Sequence, residues 1–197
     1  DVKLVQMVKL LRGGEPVKMS KRSGNFVTLA EVVDEVGKDA VRFTMLTRKA
    51  DAQMDFDFVK VVEASKDNPV FYVQYAHARI CRTLEKAAEE LGSTPSDANL
   101  DQLGEADLAL LKEAARFPRV VESAARAREP HRVAFYLAEL AAAFHAYYNL
   151  GNDDTSKRVI LAQQPDLTSA RLYLAANIGQ VIRNGLNLMG VEALTKM

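Results

Sequence analysis

From Asn68-Pro69 to Met197, prolines and glycines divide the sequence into stretches whose apolar residues recur every three or four positions, the period of an α-helix with one buried face. The breaks fall at Asn68-Pro69, Gly92-Ser93-Thr94-Pro95, Phe117-Pro118, Glu129-Pro130, Gly151-Asn152-Asp153-Asp154 and Gln164-Pro165, with Gly190 as a final stop. Proline lacks the amide donor that an internal turn needs, and glycine accepts the left-handed conformation that closes a helix. Four or five helices are therefore expected, mainly α in class. The polar stretch from Gly92 to Gly104 connects helices of one bundle, being too short and too flanked by periodic runs to separate domains.

Helical spacing also assigns faces. On the run from Asn68 to Leu91, Val70, Val73, His77, Ile80, Leu84, Ala87 and Leu91 form the stripe that packs inward. His77 is thus expected as a hydrogen-bonded core residue. The adjacent stripe is Tyr72, Tyr75, Arg79, Arg82 and Lys86. Two rings followed by three cations suit unstacked bases on a phosphate backbone, and on spacing alone they equally suit tyrosines lying beside solvated cations. Val133 to Tyr148 carries Glu139 as its one charge apart from His145, which makes it the expected buried centre. At its end core packing is expected of Tyr148, while Tyr147 is left open to present a ring to a base. The last helix buries Leu172, Ala175, Gly179, Ile182, Leu186 and Met189, opposite an amide-rich row of Tyr173, Asn177, Gln180, Asn184 and Asn187.

The first third is less regular. Val2 to Leu11 alternates weakly, as either a strand or a short helix, before the turn Arg12-Gly13-Gly14-Glu15-Pro16. A polar loop covers Lys18 to Asn25. Thr28 with Glu31 has capping-box spacing, Gly37 ends that helix, Val41 to Leu46 is a second helical piece, and Met54, Phe56 and Phe58 alternate within Asp51 to Val62.

The 197 residues are 48% hydrophobic and 26% charged, a globular balance. A lone cysteine, Cys81, excludes a disulfide framework and a cysteine zinc site, so no bound metal and a reducing, cytoplasmic setting are expected. No apolar run approaches the roughly 20 residues of a membrane span, and the stretch before Arg12-Gly13-Gly14 is too poor in apolar residues to be expected to act as a secretory signal. A first residue that is Asp1 rather than Met points to a fragment. Lys plus Arg balance Asp plus Glu at 26 each. That zero is a cancellation: residues 1–24 hold six bases against two acids, residues 61–115 five against ten, and residues 116–133 five arginines against Glu122 and Glu129. Any nucleic-acid site must be local. The arginines Arg116, Arg119, Arg126, Arg128 and Arg132 form either a backbone-contacting patch or a solvated surface with acidic partners.

The most specific local pattern is Lys18-Met19-Ser20-Lys21-Arg22-Ser23-Gly24. Cations beside a hydroxyl and a glycine suit a loop closing over phosphates, where positive charge offsets charge developing on a leaving pyrophosphate. It matches neither the P-loop nor the dinucleotide fingerprint.

Lys18-Met19-Ser20-Lys21 resembles the KMSKS signature of class I aminoacyl-tRNA synthetases. The longer run from Gln6 to Leu29, then Glu35 to Phe43, Asp55-Phe56-Asp57, and Asn68 to Arg79 resemble bacterial arginyl-tRNA synthetases, a likeness that reaches Leu188-Met189-Gly190-Val191 and the final Met197. Glu192 to Lys196 departs from the family's tail. The resemblance implies a helical-bundle anticodon-binding domain over residues 63–197, preceded over 1–62 by the end of the catalytic domain with its lysine loop and stem-contact segment. It implies ATP, taken with Mg, at Lys18, Met19, Ser20 and Lys21, with Lys18 and Lys21 catalytic and Lys21 the main phosphate contact. It implies tRNA(Arg) as partner and arginine as the intact enzyme's other substrate. The expected tRNA contacts are Tyr72, Tyr75, Arg79, Arg82, Tyr147, Asn187 and Met197. The family's His-x-Gly-His element is absent, since His77, His131 and His145 stand in no such context, so this stretch alone should not aminoacylate. Rival expectations are a stand-alone helical tRNA-binding module and a purely structural helical domain.

Overall fold

The computed structural model describes residues 2–19, 26–65 and 67–197. Residues 2–7 lead into strand β1 (Val8–Arg12), which pairs antiparallel with β2 (Glu15–Pro16) and parallel with β3 (Met54–Asp57), giving the order β2-β1-β3. The hairpin turns on Gly13 and Gly14, at φ +61° and +86°, a geometry that side chains with a Cβ resist. Asp57 closes this corner, accepting from the amides of Gly13 at 3.0 Å and Gly14 at 2.7 Å. Burial opposes its charge, but four backbone donors outweigh that and hold the carboxyl below its usual range.

Between β1 and β3 lie helices α1 (Leu29–Val36) and α2 (Lys38–Leu46). Thr28 and Glu31 form the expected reciprocal cap, and Gly37 separates the two helices at φ +84°. Val32, Val36, Val41, Met54, Phe56 and Phe58 make a small core here. Where a strand or helix was open over Val2 to Leu11, the strand occupies only its second half. Phe58 closes the predicted alternation, after which Lys60–Val62 forms a single 3₁₀ turn.

The remaining five helices are α3 (Pro69–Leu91), α4 (Glu105–Ala115), α5 (Phe117–Ala127), α6 (His131–Asp153) and α7 (Pro165–Met189). The predicted apolar run of α6 is the centre, packed on α3, α4, α5 and α7. Leu137, Leu140, Phe144, Ile80, Leu172, Ile178, Ile182 and Leu186 are fully buried around it. Small residues let the axes approach: a Cβ on Gly179 would sit 3.1 Å from Ile80, and one on Gly185 would sit 2.6 Å from Leu137. Two expectations change. Helix α6 runs through Gly151 to Asp153, because Gly151 is used for close approach: a Cβ there would meet Arg158 Cα at 3.0 Å. Leu91, placed on the inward stripe, is 41% exposed because the last turn of α3 extends past the core.

Candidate nucleic-acid interface

A cleft of about 1280 Å³ opens between α3, the end of α6, the connection to α7 and the last residues of the chain. Helix α3 contributes Tyr75, Arg79, Arg82 and Lys86, whose spacing puts them along one wall. Opposite stand Tyr148 and Asn152 of α6, then Ser156 and Arg158. Lys196 and Met197 supply the third side.

The tail reaches this place through the core histidine. Val191 is buried, Gln74 donates to the Glu192 carbonyl at 2.9 Å, and His77 Nδ1 donates to the Leu194 carbonyl at 2.8 Å. A carbonyl only accepts, so the His77 proton sits on Nδ1. Burial pushes the His77 pKa below its ordinary value, with Arg183 acting in the same direction and the Leu194 bond against it.

Arg79 is the best-held group in the cleft. Its guanidinium lies 4.5 Å from the Tyr75 ring centre and 4.8 Å from that of Tyr148. Nη1 bonds His145 Nδ1 at 2.9 Å and Nη2 donates to the Tyr75 hydroxyl at 2.7 Å. Among the described residues no carboxylate pairs with it. By contrast Arg82 shares Glu85 at 3.6 Å and Glu89 at 3.9 Å, and Lys86 faces Glu90 at 3.9 Å. Arg158 donates to the Gly151 carbonyl at 3.1 Å, another neutral partner. The connection itself is tied down by Arg171, which donates to the carbonyls of Ser156 and Arg158 while its Nε stands 3.3 Å from buried Asp107. The cleft thus combines aromatic faces, amide and hydroxyl groups, Glu85 and Glu90 facing Arg82 and Lys86, and three cations, Arg79, Arg158 and Lys196, that no carboxylate pairs with among the described residues. Such a surface can stack bases and meet phosphates.

The structure gathers Tyr75, Arg79, Arg82 and Met197 into this cleft. Tyr72 lies behind them, half-buried, its ring 4.5 Å from His145. Tyr147 is corrected: it is 7% exposed and donates to Asp107 at 2.7 Å, and Tyr148 presents its ring instead. Asn187 is exposed on α7 outside the cleft. Lys18 and Met19 are exposed, whereas Ser20 and Lys21 lie outside the described residues. Sequence reasoning gave His145, Asn152 and Arg158 no site role and assigned Tyr148 to core packing; His145, Tyr148 and Asn152 recur at i, i+3 and i+7, the signal that could have grouped them. In the arginine patch, Arg116 pairs with Glu113 and Glu139, Arg126 with Glu122, and Arg132 with Glu129, which is the solvated-surface arrangement.

The helical bundle thus carries an aromatic and cationic cleft bounded by the connection into its last helix and by the tail that follows it, a surface suited to single-stranded nucleic acid. The family described as the DALR anticodon binding domain matches residues 73–197, and the chain belongs to that family. More particularly, it is 73% identical to the arginine–tRNA ligase of Novosphingobium aromaticivorans over 197 residues, all of this chain and 34% of that protein. It spans about a third of the length of the curated relatives it matches. Among solved structures it resembles an arginyl-tRNA synthetase from Campylobacter jejuni, with TM-score 0.82, 36% identity, and coverage of 98% of this chain and 40% of that one. Thermus thermophilus arginyl-tRNA synthetase superposes with TM-score 0.72 at 27% identity, covering 95% of this chain and 34% of that one. Among the described residues no helix is long and apolar enough to cross a membrane, and no cluster of three or more His, Cys, Asp or Glu could hold a metal.

Proposed function

We propose that the chain is part of an arginine–tRNA ligase, and that its cleft holds the anticodon arm of tRNA(Arg) through Tyr75, Arg79, Arg82, Tyr148, Arg158 and Met197, with Tyr72 supporting them. Arg79 carries this reading: a guanidinium held against two tyrosine rings by neutral partners keeps its charge for a nucleic-acid phosphate, beside rings on which bases can stack. Asn187 is kept as an outer contact to the same arm. Residues 63–197 form the anticodon-binding unit, and residues 1–62 form the end of the catalytic domain with its stem-contact segment. Lys18 and Lys21, with Met19 and Ser20, close over the phosphates of ATP taken with Mg, and their charge offsets that of the departing pyrophosphate as arginyl-adenylate forms. The intact ligase joins arginine to tRNA(Arg). The 197 residues alone bind and do not aminoacylate, since no His-x-Gly-His element is among them.

The test is a titration of the chain with a tRNA(Arg) transcript at several salt concentrations. Tyr75→Ala or Arg79→Ala should weaken binding by the worth of a base–aromatic stack, about 1–3 kcal/mol. Arg79→Ala should also reduce the salt slope by about 0.7, one single-strand phosphate. Unchanged affinity in both variants removes the proposal. For the lysine loop, Lys21→Ala in the intact ligase should depress ATP–pyrophosphate exchange while arginine affinity holds; full exchange activity would refute that role.

A further inference from the structure

We propose that His145 is the positioning residue of the cleft: without touching nucleic acid, it fixes Arg79 against the two tyrosine rings by accepting the guanidinium hydrogen bond. This rests on the tRNA reading above. His145 is 4% exposed, too enclosed to meet a base itself. Its Nε2 faces the Tyr72 carbonyl at 3.3 Å and its Nδ1 faces Arg79 Nη1 at 2.9 Å. The carbonyl only accepts and the guanidinium only donates, so the proton is on Nε2 and Nδ1 offers a lone pair. That is a neutral ring, in accord with the burial that lowers its pKa. The plane of the ring is set by Tyr72 at 4.5 Å, Tyr75 at 5.4 Å and Phe144 at 6.0 Å between centres.

An arginine side chain has several free torsions, and ordering them on binding opposes affinity. Here three groups remove that freedom beforehand: the Tyr75 hydroxyl, the pair of rings, and His145 as the acceptor on Nη1. Only His145 among them is buried, so it meets no ligand itself, and its Nδ1 hydrogen bond acts on the ligand through Arg79.

The test is a double-mutant cycle on the whole chain, read by tRNA(Arg) transcript affinity with thermal unfolding as a check on folding. His145→Phe keeps an aromatic ring and deletes the acceptor; it should weaken binding about tenfold, the worth of one hydrogen bond to a charged group. In an Arg79→Ala background the same change should have no further effect. His145→Asn places Oδ1 near the Nδ1 position and should recover most of the affinity; if His145→Phe fails to fold, His145→Leu, which also lacks the acceptor, carries the cycle. Equal losses with and without Arg79, or a His145→Asn loss as large as that of His145→Phe, overturn the proposal. A weakened Arg79→Ala beside an unaffected His145→Phe overturns it and leaves the tRNA reading standing; an unaffected Arg79→Ala overturns it too, and together with an unaffected Tyr75→Ala overturns both.

Discussion

His77 and His145 are both enclosed by the bundle, and burial is the largest influence lowering the pKa of each. The sign of the pH effect follows from linkage. A histidine whose folded-state pKa lies below its unfolded value of about 6.5 takes up a proton more readily in the unfolded chain, so acid favours unfolding. Stability should be complete above about pH 7 and should fall as the pH drops through 6.5 toward the folded-state values. The urea midpoint measured from pH 7.5 to 5.5 should decline, and less steeply in His77→Gln; a flat profile would contradict the burial argument. The place of His77 was readable, because it lies on the inward stripe of its own helix. The work of His145 was not, because its partner Arg79 is 66 residues away. Tyr147 and Tyr148 make the same point. Adjacent helical residues diverge by about 100°, so one faces in and one out, but which one depends on where α4 puts Asp107.

At the scale of elements, local chemistry set most boundaries. Pro69, Pro118 and Pro165 each occupy a first turn, where their missing amide costs nothing, and Gly92 and Gly190 close α3 and α7 in the left-handed conformation. Gly151, Gly179 and Gly185 look alike in sequence yet do different work, since their role is to admit another element. Gly185 is the most closely met, and Leu137 facing it is fully buried. Gly185→Leu should therefore force α6 and α7 apart and destabilise the fold by overpacking, by about 1–3 kcal/mol in urea unfolding. A gain in stability, as helix propensity alone would give, would show that the two axes can separate freely.

For the molecule as a whole, α2 decides how the parts are joined. Val41 packs into the small core with β1 and β3, while Phe43 is fully buried in the bundle core. Around it Arg42 donates to the Met189 carbonyl at 2.7 Å, and Asp39 accepts from Gln74 and from the Glu192 amide at 3.1 Å each. Phe43→Ala should thus weaken the bundle although it lies outside it in sequence, by about 3–5 kcal/mol in urea unfolding followed by circular dichroism. A loss below 1 kcal/mol would mean the two parts fold without one another. Sequence by itself determined the helices of the bundle, most of their ends and most of their inward stripes, since period, proline, glycine and capping act within a few residues of where they stand. It also carried the resemblance to a tRNA ligase and the stripe of Tyr75, Arg79 and Arg82. Only the tertiary structure decided that the end of α6, the Arg158 connection and the tail close around that stripe, that Arg79 rests on neutral partners while Arg82 and Lys86 face carboxylates, and that Tyr148 rather than Tyr147 turns outward. Those outcomes depend on contacts between residues far apart in the chain, and no local pattern encodes such a contact until packing has brought both partners together.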